Sequence, residues 1–110
     1  MGDSGDGAIL EVTVTCGSLD EANAVMRAAV DARLAACAKT WPVTSTYRWQ
    51  GEVHTDDEHL VVLTTTAGCF DALTQCIGSV HSYELPAITM VPVRAVGPGV
   101  AEWIEESTDR

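Results

Sequence analysis

The fold is decided by residues 37–63, which read CAKTWPVTSTYRW, then QG at 50–51, then EVHTDDEHLVVL. In the first segment, the alternation of a strand places four residues on the same face: Val43, Ser45, Tyr47 and Trp49. Gly51 tolerates the positive φ of a tight turn, so Gln50-Gly51 predicts a hairpin between two strands. Pro42 cannot donate to a strand ladder, so the first of these strands is expected at an edge or a bulge.

The segments on either side of the hairpin alternate between strand and helix patterns. Upstream, Ile9–Cys16 alternates like a half-buried strand, and Ser18-Leu-Asp-Glu21 reads as a capping box for a helix ending near Leu34. Downstream, apolar residues at helical spacing predict a helix over 70–80, and residues 87–96 predict a last strand that Pro92 places at an edge. Residues 101–106 predict a short terminal helix.

The predicted order β-α-β-β-α-β is typical of the ferredoxin-like α/β (α+β) sandwich, with both helices on one face of the sheet. We expect one such domain over 8–110, with a long hairpin between its second and third strands, after a disordered leader at 1–7.

The other sheet face is then uncovered, and it carries Trp41, Tyr47, Trp49 and Leu85. Open strand edges and an exposed aromatic face predict assembly with copies of the same chain, most simply as a closed homotrimer. The alternative is a monomer whose C-terminal segment folds back over this face.

Charge and apolar content argue against two classes of partner. The net charge is −10 and the basic residues are scattered, which disfavours nucleic acid. No stretch approaches the roughly 20 apolar residues of a membrane span, and no secretory signal is evident. The four cysteines form no C-x-x-C pair and lie in apolar patterns, as reduced thiols do. We therefore expect a cytoplasmic protein.

Several strings resemble the CutA divalent-cation tolerance family from about residue 9 to 107. They are Arg33-Leu-Ala-Ala-Cys37-Ala-Lys, Trp41-Pro42, Ser45-Thr-Tyr47-Arg-Trp49-Gln-Gly51, His81-Ser-Tyr83-Glu84-Leu-Pro86, and Trp103. The resemblance implies a trimeric ferredoxin-like protein linked to divalent-metal tolerance and copper binding. This chain departs from the family at a few positions. Ser82 stands where many members have proline, Val80 where some have a second histidine, and Glu52 and Thr64 where members have lysines. The Val80 difference removes one possible metal ligand.

Two residues are the candidate metal ligands, Cys16 at the end of the first strand and His81 at the end of the second helix. In a ferredoxin-like sheet these ends can approach each other, and thiolate with imidazole suits copper or zinc. Two ligands alone make a weak site. The alternatives are a buried core thiol at Cys16 and, at His81, a helix C-terminal histidine favoured by the macrodipole.

Other polar residues are weaker candidates for binding. The cluster at 54–59, with two histidines and three acids, reads as a solvated strand. The residues assigned to a subunit interface or cleft are Trp41, Tyr47, Trp49, Tyr83, Glu84 and Trp103. Near Tyr83 and Glu84 a small anion could bind with Arg48 and Lys39, or Tyr83 could simply pack at the interface.

The sequence contains no recognisable catalytic constellation, so we expect a protein that is not an enzyme. The first hypothesis is a trimeric CutA-type protein that binds a divalent metal weakly at a subunit cleft. The alternatives are a PII-like small-molecule sensor and a trimeric protein-docking adaptor. The tight acidic hairpin disfavours the sensor, which would carry a long signalling loop and a basic patch.

Overall fold

The structure, a computed structural model, describes residues 7–109 as a four-stranded antiparallel sheet with three helices. The elements are β1 (Ile9–Cys16), α1 (Leu19–Asp31), β2 (Cys37–Trp49), β3 (Glu52–Thr66), α2 (Phe70–Val80), β4 (Thr89–Pro92) and α3 (Val100–Ser107). The strand order β2-β3-β1-β4 is that of the ferredoxin-like α+β fold and confirms the prediction. Of the leader expected at 1–7, residues 1–6 lie outside the described residues.

The hairpin is continuous over its whole length, with pairs running from Cys37 opposite Thr64 to Trp49 opposite Glu52. Its two turn residues both have positive φ, 51° at Gln50 and 84° at Gly51, which matches the right-handed twist of the strands. The strand pattern predicted β3 to end at residue 63, but pairing with β1 carries it to Thr66. Pro42 and Pro92 both lie in edge strands, as predicted.

One apolar core lies between the sheet and the helices α1 and α2. Its fully buried members include Val12, Leu63, Leu73 and Ile77. Burying each such side chain contributes about 1.5–3 kcal/mol. The residues that α1 buries are Ala22, Val25 and Ala29. Leu19 and Val30, which are also apolar residues of α1, are exposed.

Helix α1 ends at Asp31, three residues before the predicted position, because Arg33 adopts a left-handed backbone with φ of 60°. The N–H of Leu34 bonds to the carbonyl of Ala29 at 2.9 Å, and that of Arg33 to Val30 at 3.0 Å. This pair of bonds is the Schellman arrangement that closes many helices. Glycine usually occupies this left-handed position, so an arginine at 33 gave no sequence signal that the helix ends there.

Strand β4 is shorter than the predicted 87–96. The N–H of Val93 bonds to the Ile9 carbonyl at 2.9 Å, and β1 begins at Ile9, so later residues have no β1 partner. On the other side, the N–H of Ile88 turns back to the carbonyl of Pro86 at 3.0 Å and leaves the ladder. Residues 81–88 therefore form a connecting segment rather than strand.

The sheet face opposite α1 and α2 carries the aromatic residues of the hairpin, as predicted. The register places Trp41 opposite Leu60 and Tyr47 opposite His54 on this face. Trp41 is 44% exposed, and Tyr47 and Trp49 are also exposed. Helix α3 packs through Ile104 and leaves these three rings uncovered. Among residues 7–109, no helix is long and apolar enough to cross a membrane.

Candidate metal centre and adjoining groove

Three side chains converge where β1, α1 and α2 meet. Cys16 is the last residue of β1, Glu21 lies in the first turn of α1, and His81 caps the C-terminus of α2. One ligand atom from each lies within 4.8 Å of the others. The fold therefore brings Cys16 and His81 together and adds Glu21, which sequence reasoning used only as a helix-capping residue.

Glu21 holds the segment after α2 against the start of α1. Its own N–H donates to the Ser18 hydroxyl at 3.1 Å, as the capping box predicts. Its carboxylate accepts from the Gly17 N–H at 3.4 Å, from the Ser82 hydroxyl at 3.1 Å and from the Ser82 N–H. Burial alone would raise the pKa of Glu21, but the bonds from Ser82, with nearby His81, lower the pKa below its usual value.

The His81 side chain is completely buried, and both ring nitrogens are engaged. The Tyr83 N–H can only donate, so His81 Nδ1 is the acceptor at 3.0 Å, and Nε2 carries the proton that it donates to the Thr15 carbonyl at 2.8 Å. The Nδ1 atom also lies 3.8 Å from a Glu21 carboxylate oxygen. A histidine that binds a metal through one ring nitrogen usually donates the N–H of its other ring nitrogen to a carboxylate, a backbone carbonyl or water.

Cys16 is a buried thiol rather than a thiolate. Burial, with smaller effects from the negative charges of Glu21 and Glu58, raises its pKa to about 11. A metal ion would therefore have to displace the thiol proton. Sulfur, imidazole and carboxylate together suit a borderline divalent ion such as zinc or copper, and three protein ligands are enough for a zinc site with one open position. The three residues fit such an ion.

His59, which the sequence placed on a solvated strand, lies near this centre but outside the set of ligand atoms that approach to within 4.8 Å. It lies directly opposite Cys16 in the β1–β3 pair, on the same face of the sheet. Its Nδ1 is buried and has no hydrogen-bond partner among the described residues. Only the pairing register, which a single sequence does not reveal, connects it to Cys16.

A groove of about 470 Å³ adjoins this centre on the open side of the sheet. It is lined by Thr15, Ser45, Tyr47, Arg48, Trp49, Glu58, Tyr83, Leu85 and Ala87. The Tyr83 hydroxyl donates to Glu58 Oε2 at 2.6 Å, and burial followed by this bond raises the pKa of Tyr83. Glu58 is only 5% exposed, so the prediction that the 54–59 cluster is solvated is wrong at this residue.

The remaining predicted interface residues divide between the groove and the outer surface. Tyr47 and Trp49 line the groove, where the Tyr47 hydroxyl donates to Asp56 at 2.5 Å. Trp41 lies outside the lining on the open face, and Glu84 and Trp103 are exposed elsewhere. Of the two cations expected near an anion, Arg48 lines the groove and Lys39 does not.

Comparison with known proteins finds matches over nearly the whole described chain. The family model described as CutA1 divalent ion tolerance protein matches residues 10–107. A relative from Thermus thermophilus, named divalent-cation tolerance protein CutA, is 37% identical, and the alignment covers 88% of this chain and 95% of that protein. Protein CutA of Mus musculus is 35% identical over 94% of this chain, which spans only 59% of the mouse protein. The crystal structure of CutA from Xylella fastidiosa superposes with a TM-score of 0.89 at 33% identity, covering 93% of this chain and 99% of the other.

Proposed function

The chain belongs to the CutA1 divalent ion tolerance family, and on that basis we propose that it binds a divalent transition-metal ion through Cys16, Glu21 and His81. Zinc and copper are the ions that this set of ligands favours. The observation that carries the proposal is the approach of the three ligand atoms to within 4.8 Å, around a histidine whose tautomer leaves the Nδ1 lone pair on the Glu21 side.

Binding by this centre is expected to be weak, for two physical reasons. The ion must displace the proton of a thiol whose pKa is about 11, and it must also replace the Tyr83 N–H at His81 Nδ1. His59 does not belong to the set of ligand atoms that lie within 4.8 Å of one another, so the centre offers three protein ligands, one fewer than a structural zinc site uses.

Titration of the purified protein with Zn²⁺ by calorimetry tests the proposal, and Co²⁺ absorption spectroscopy identifies the ligands. Cys16→Ser is expected to abolish the thiolate-to-cobalt charge-transfer band. It should also weaken Zn²⁺ binding at least about tenfold, because loss of even an outer-shell residue that orients a metal ligand typically lowers metal affinity by that factor. Cys69→Ser is the matched control, because Cys69 is also a free, buried thiol but lies outside the cluster. His81→Ala is paired in the same way with His54→Ala.

Unchanged zinc affinity in both Cys16→Ser and His81→Ala would reject this centre. Equal losses in the test variants and in their controls would also reject it, because that result indicates nonspecific binding or general destabilisation. Circular dichroism of each variant establishes that the comparison is made between folded proteins.

We further propose that the chain forms a homotrimer through the open sheet face. The support is the exposed aromatic surface of Trp41, Tyr47 and Trp49, which a monomer would leave in water. Light scattering should give three times the 11.7 kDa mass of one chain. Trp41→Ala should lower that mass without changing the circular dichroism spectrum, whereas Leu19→Ala, an exposed residue on α1, should leave it unchanged. A wild-type protein with the mass of a single chain would contradict the trimer.

We propose that the protein acts by binding rather than by catalysis. A nucleophilic Cys–His pair needs a thiol with a lowered pKa, but burial raises the pKa of Cys16, and both nitrogens of His81 are already hydrogen-bonded. Slow reaction of Cys16 with iodoacetamide, compared with denatured protein, would agree with this assignment. Rapid alkylation of Cys16 in the folded protein would contradict it.

The cytoplasm is the compartment we propose for this chain, because all four cysteines are free thiols, as expected under reducing conditions. Relatives differ in this respect, since the one from Oryza sativa is named chloroplastic and the protein of the Archaeoglobus fulgidus structure is named periplasmic. Fractionation of cells that express the natural gene, with immunodetection of the protein, decides between these compartments.

A further inference from the structure

Ser82 is held at two points by the carboxylate of Glu21. Its N–H donates to Glu21 Oε2, and its hydroxyl donates to Glu21 Oε1 at 3.1 Å. Glu21 Oε2 is also the oxygen that lies 3.8 Å from His81 Nδ1. The Ser82 N–H therefore engages the carboxylate oxygen that faces the histidine in the candidate metal centre.

Tyr83 engages that histidine from the same stretch of backbone. Its N–H donates to His81 Nδ1 at 3.0 Å, while His81 Nε2 donates to the Thr15 carbonyl. A neutral imidazole has a single acceptor nitrogen, so Nδ1 cannot accept this N–H and bind an ion at the same time. Metal binding through Nδ1 thus requires the peptide unit between residues 82 and 83 to turn away from the ring.

Contacts on both sides of this peptide unit oppose the turn. A planar peptide can turn only by rotation about the bonds of its two flanking Cα atoms. Ser82 is fixed through its own N–H and hydroxyl, as described above. Tyr83 is fixed through its hydroxyl, which donates to Glu58, and its ring lies against Gly17, where an added Cβ would come within 3.2 Å of the tyrosine oxygen.

We propose that residues 82–83, which we call the strap, inhibit the metal centre of their own chain. The strap occupies Glu21 and His81 in the metal-free protein and opens when an ion binds. This inference rests on the proposed function, because it assigns a regulation to that centre. Since only the open form binds, the apparent affinity is reduced by the fraction of molecules in which the strap is open. Ser82 sets this fraction without being a metal ligand.

The hydrogen bonds of the strap to its two targets lie within one chain. Glu21 and His81 belong to α1 and to the end of α2, on the side of the sheet that the helices cover, and Cys16 is part of the core there. These bonds therefore do not depend on how the opposite face of the sheet is covered.

A hydrogen bond to a ligand carboxylate can also have the opposite effect on metal binding. Where such a bond orients the ligand for the ion, its removal typically lowers metal affinity by about 10- to 100-fold. An inhibitory strap predicts the reverse, because loosening it increases the open fraction. The sign of the change in affinity therefore distinguishes inhibition from support.

Zinc titration of the whole chain by calorimetry measures that sign. Ser82→Ala is expected to bind Zn²⁺ about three- to tenfold more tightly than wild type, because it loses one of the bonds that hold the strap closed. Ser82→Thr keeps the hydroxyl and should retain the wild-type affinity. Ser79→Ala is the matched control, since the Ser79 hydroxyl donates to the Cys76 carbonyl at 2.7 Å, outside the cluster. Equal or weaker binding in Ser82→Ala, or the same gain in Ser79→Ala, would overturn the proposal.

Hydrogen exchange at the Tyr83 amide provides a second readout, which does not depend on the variants of Ser82. Zn²⁺ should speed this exchange in the wild-type protein at least about fivefold relative to chelator, because the amide loses its acceptor on His81. Cys16→Ser should show no such change. Unchanged or slower exchange of the Tyr83 amide in zinc-bound wild type would overturn the opening of the strap.

The strap and the metal centre fail in different ways. Zinc binding by wild type that Cys16→Ser weakens, with no gain in Ser82→Ala, would overturn the strap and leave the metal centre in place. No Zn²⁺ binding in either wild type or Ser82→Ala would overturn both. Binding that is measurable only in Ser82→Ala would support the strap.

Discussion

Tyr83 and His81 are linked by a hydrogen bond from the Tyr83 main-chain N–H to His81 Nδ1, at 3.0 Å, and their rings meet edge to face with centroids 4.7 Å apart. The Tyr83 hydroxyl reaches Glu58 on the other side. One residue thus contacts both the candidate metal centre and the groove. An ion on Nδ1 would take the lone pair that the Tyr83 N–H now uses, so metal binding is expected to move Tyr83 and to alter its contact with Glu58.

Zinc binding should therefore change the environment of the Tyr83 amide. In ¹H–¹⁵N spectra of the wild-type protein, Zn²⁺ is expected to shift the Tyr83 and Ser82 amide signals strongly, because both residues bond to the His81–Glu21 pair. Amides of α3, which lies away from the centre, should change little. Cys16→Ser at the same zinc concentration should show no shift at Tyr83. Uniform small shifts over the whole chain would indicate nonspecific binding instead.

Zinc affinity should increase with pH. The Cys16 thiol, whose pKa is raised from 9.0 to about 11, must lose its proton when the ion binds. Below pH 11 the thiolate fraction rises tenfold with each pH unit, so the apparent zinc affinity should rise about tenfold per unit between roughly pH 6.5 and 8.5. Calorimetry in buffers of different ionisation enthalpy measures the released proton directly. A pH-independent affinity would show that the thiol is not a ligand.

Glu21 should stabilise the fold in its ionised form. Glu21→Ala removes the acceptor of the Ser82 and Gly17 N–H groups and is expected to cost about 1–3 kcal/mol of unfolding free energy in urea titrations. Asp20→Ala, at an exposed neighbour in the same helical turn, is the control and should cost less.

The pH dependence of the Glu21 contribution follows from the direction of its pKa shift. Because the folded protein lowers this pKa, the stabilisation is present above the usual glutamate pKa of 4.5 and is lost as the pH falls through the lower folded value. The stability difference between wild type and Glu21→Gln should therefore shrink on acidification below pH 4.5. A difference that grows in acid would contradict the assignment.

The two tyrosine–carboxylate bonds of the groove should differ in strength. Tyr83→Phe leaves an oxygen of the buried Glu58 side chain without its donor and is expected to lower the free energy of unfolding by about 1–2 kcal/mol. This value is in the lower part of the range for a hydrogen bond to a charged group, because Tyr83 is partly exposed. Tyr47→Phe removes the bond to Asp56 at an exposed position and should cost less. Thermal unfolding of the two variants side by side provides the comparison. A larger loss in Tyr47→Phe would contradict the burial argument.

Much of the fold could be predicted because each element carries a local signal. Alternation in Ile9–Cys16, the capping box at Ser18 and Glu21, and the glycine at 51 all correspond to the observed strand, helix and turn. The errors lie where tertiary contacts decide the boundary. An arginine in the left-handed conformation ends α1, and the length of β1 determines where β4 stops.

The candidate site was only partly predictable because its remaining members depend on strand register. Cys16 and His81 lie at element ends that the topology brings together, so their proximity follows from the fold. Glu58 and His59 sit in a polar run, and no pattern within one sequence shows that Tyr83 covers the first or that the second lies opposite Cys16.

Anomalous diffraction from crystals grown with Zn²⁺, recorded on both sides of the zinc absorption edge, tests the metal centre most directly. We predict a peak bonded to Cys16 Sγ, His81 Nδ1 and a Glu21 carboxylate oxygen, with the Tyr83 N–H displaced from the ring. Zinc bound only elsewhere, for example at the exposed acids Asp56 and Asp57 of the hairpin, with the Tyr83–His81 bond intact, would contradict the proposed function.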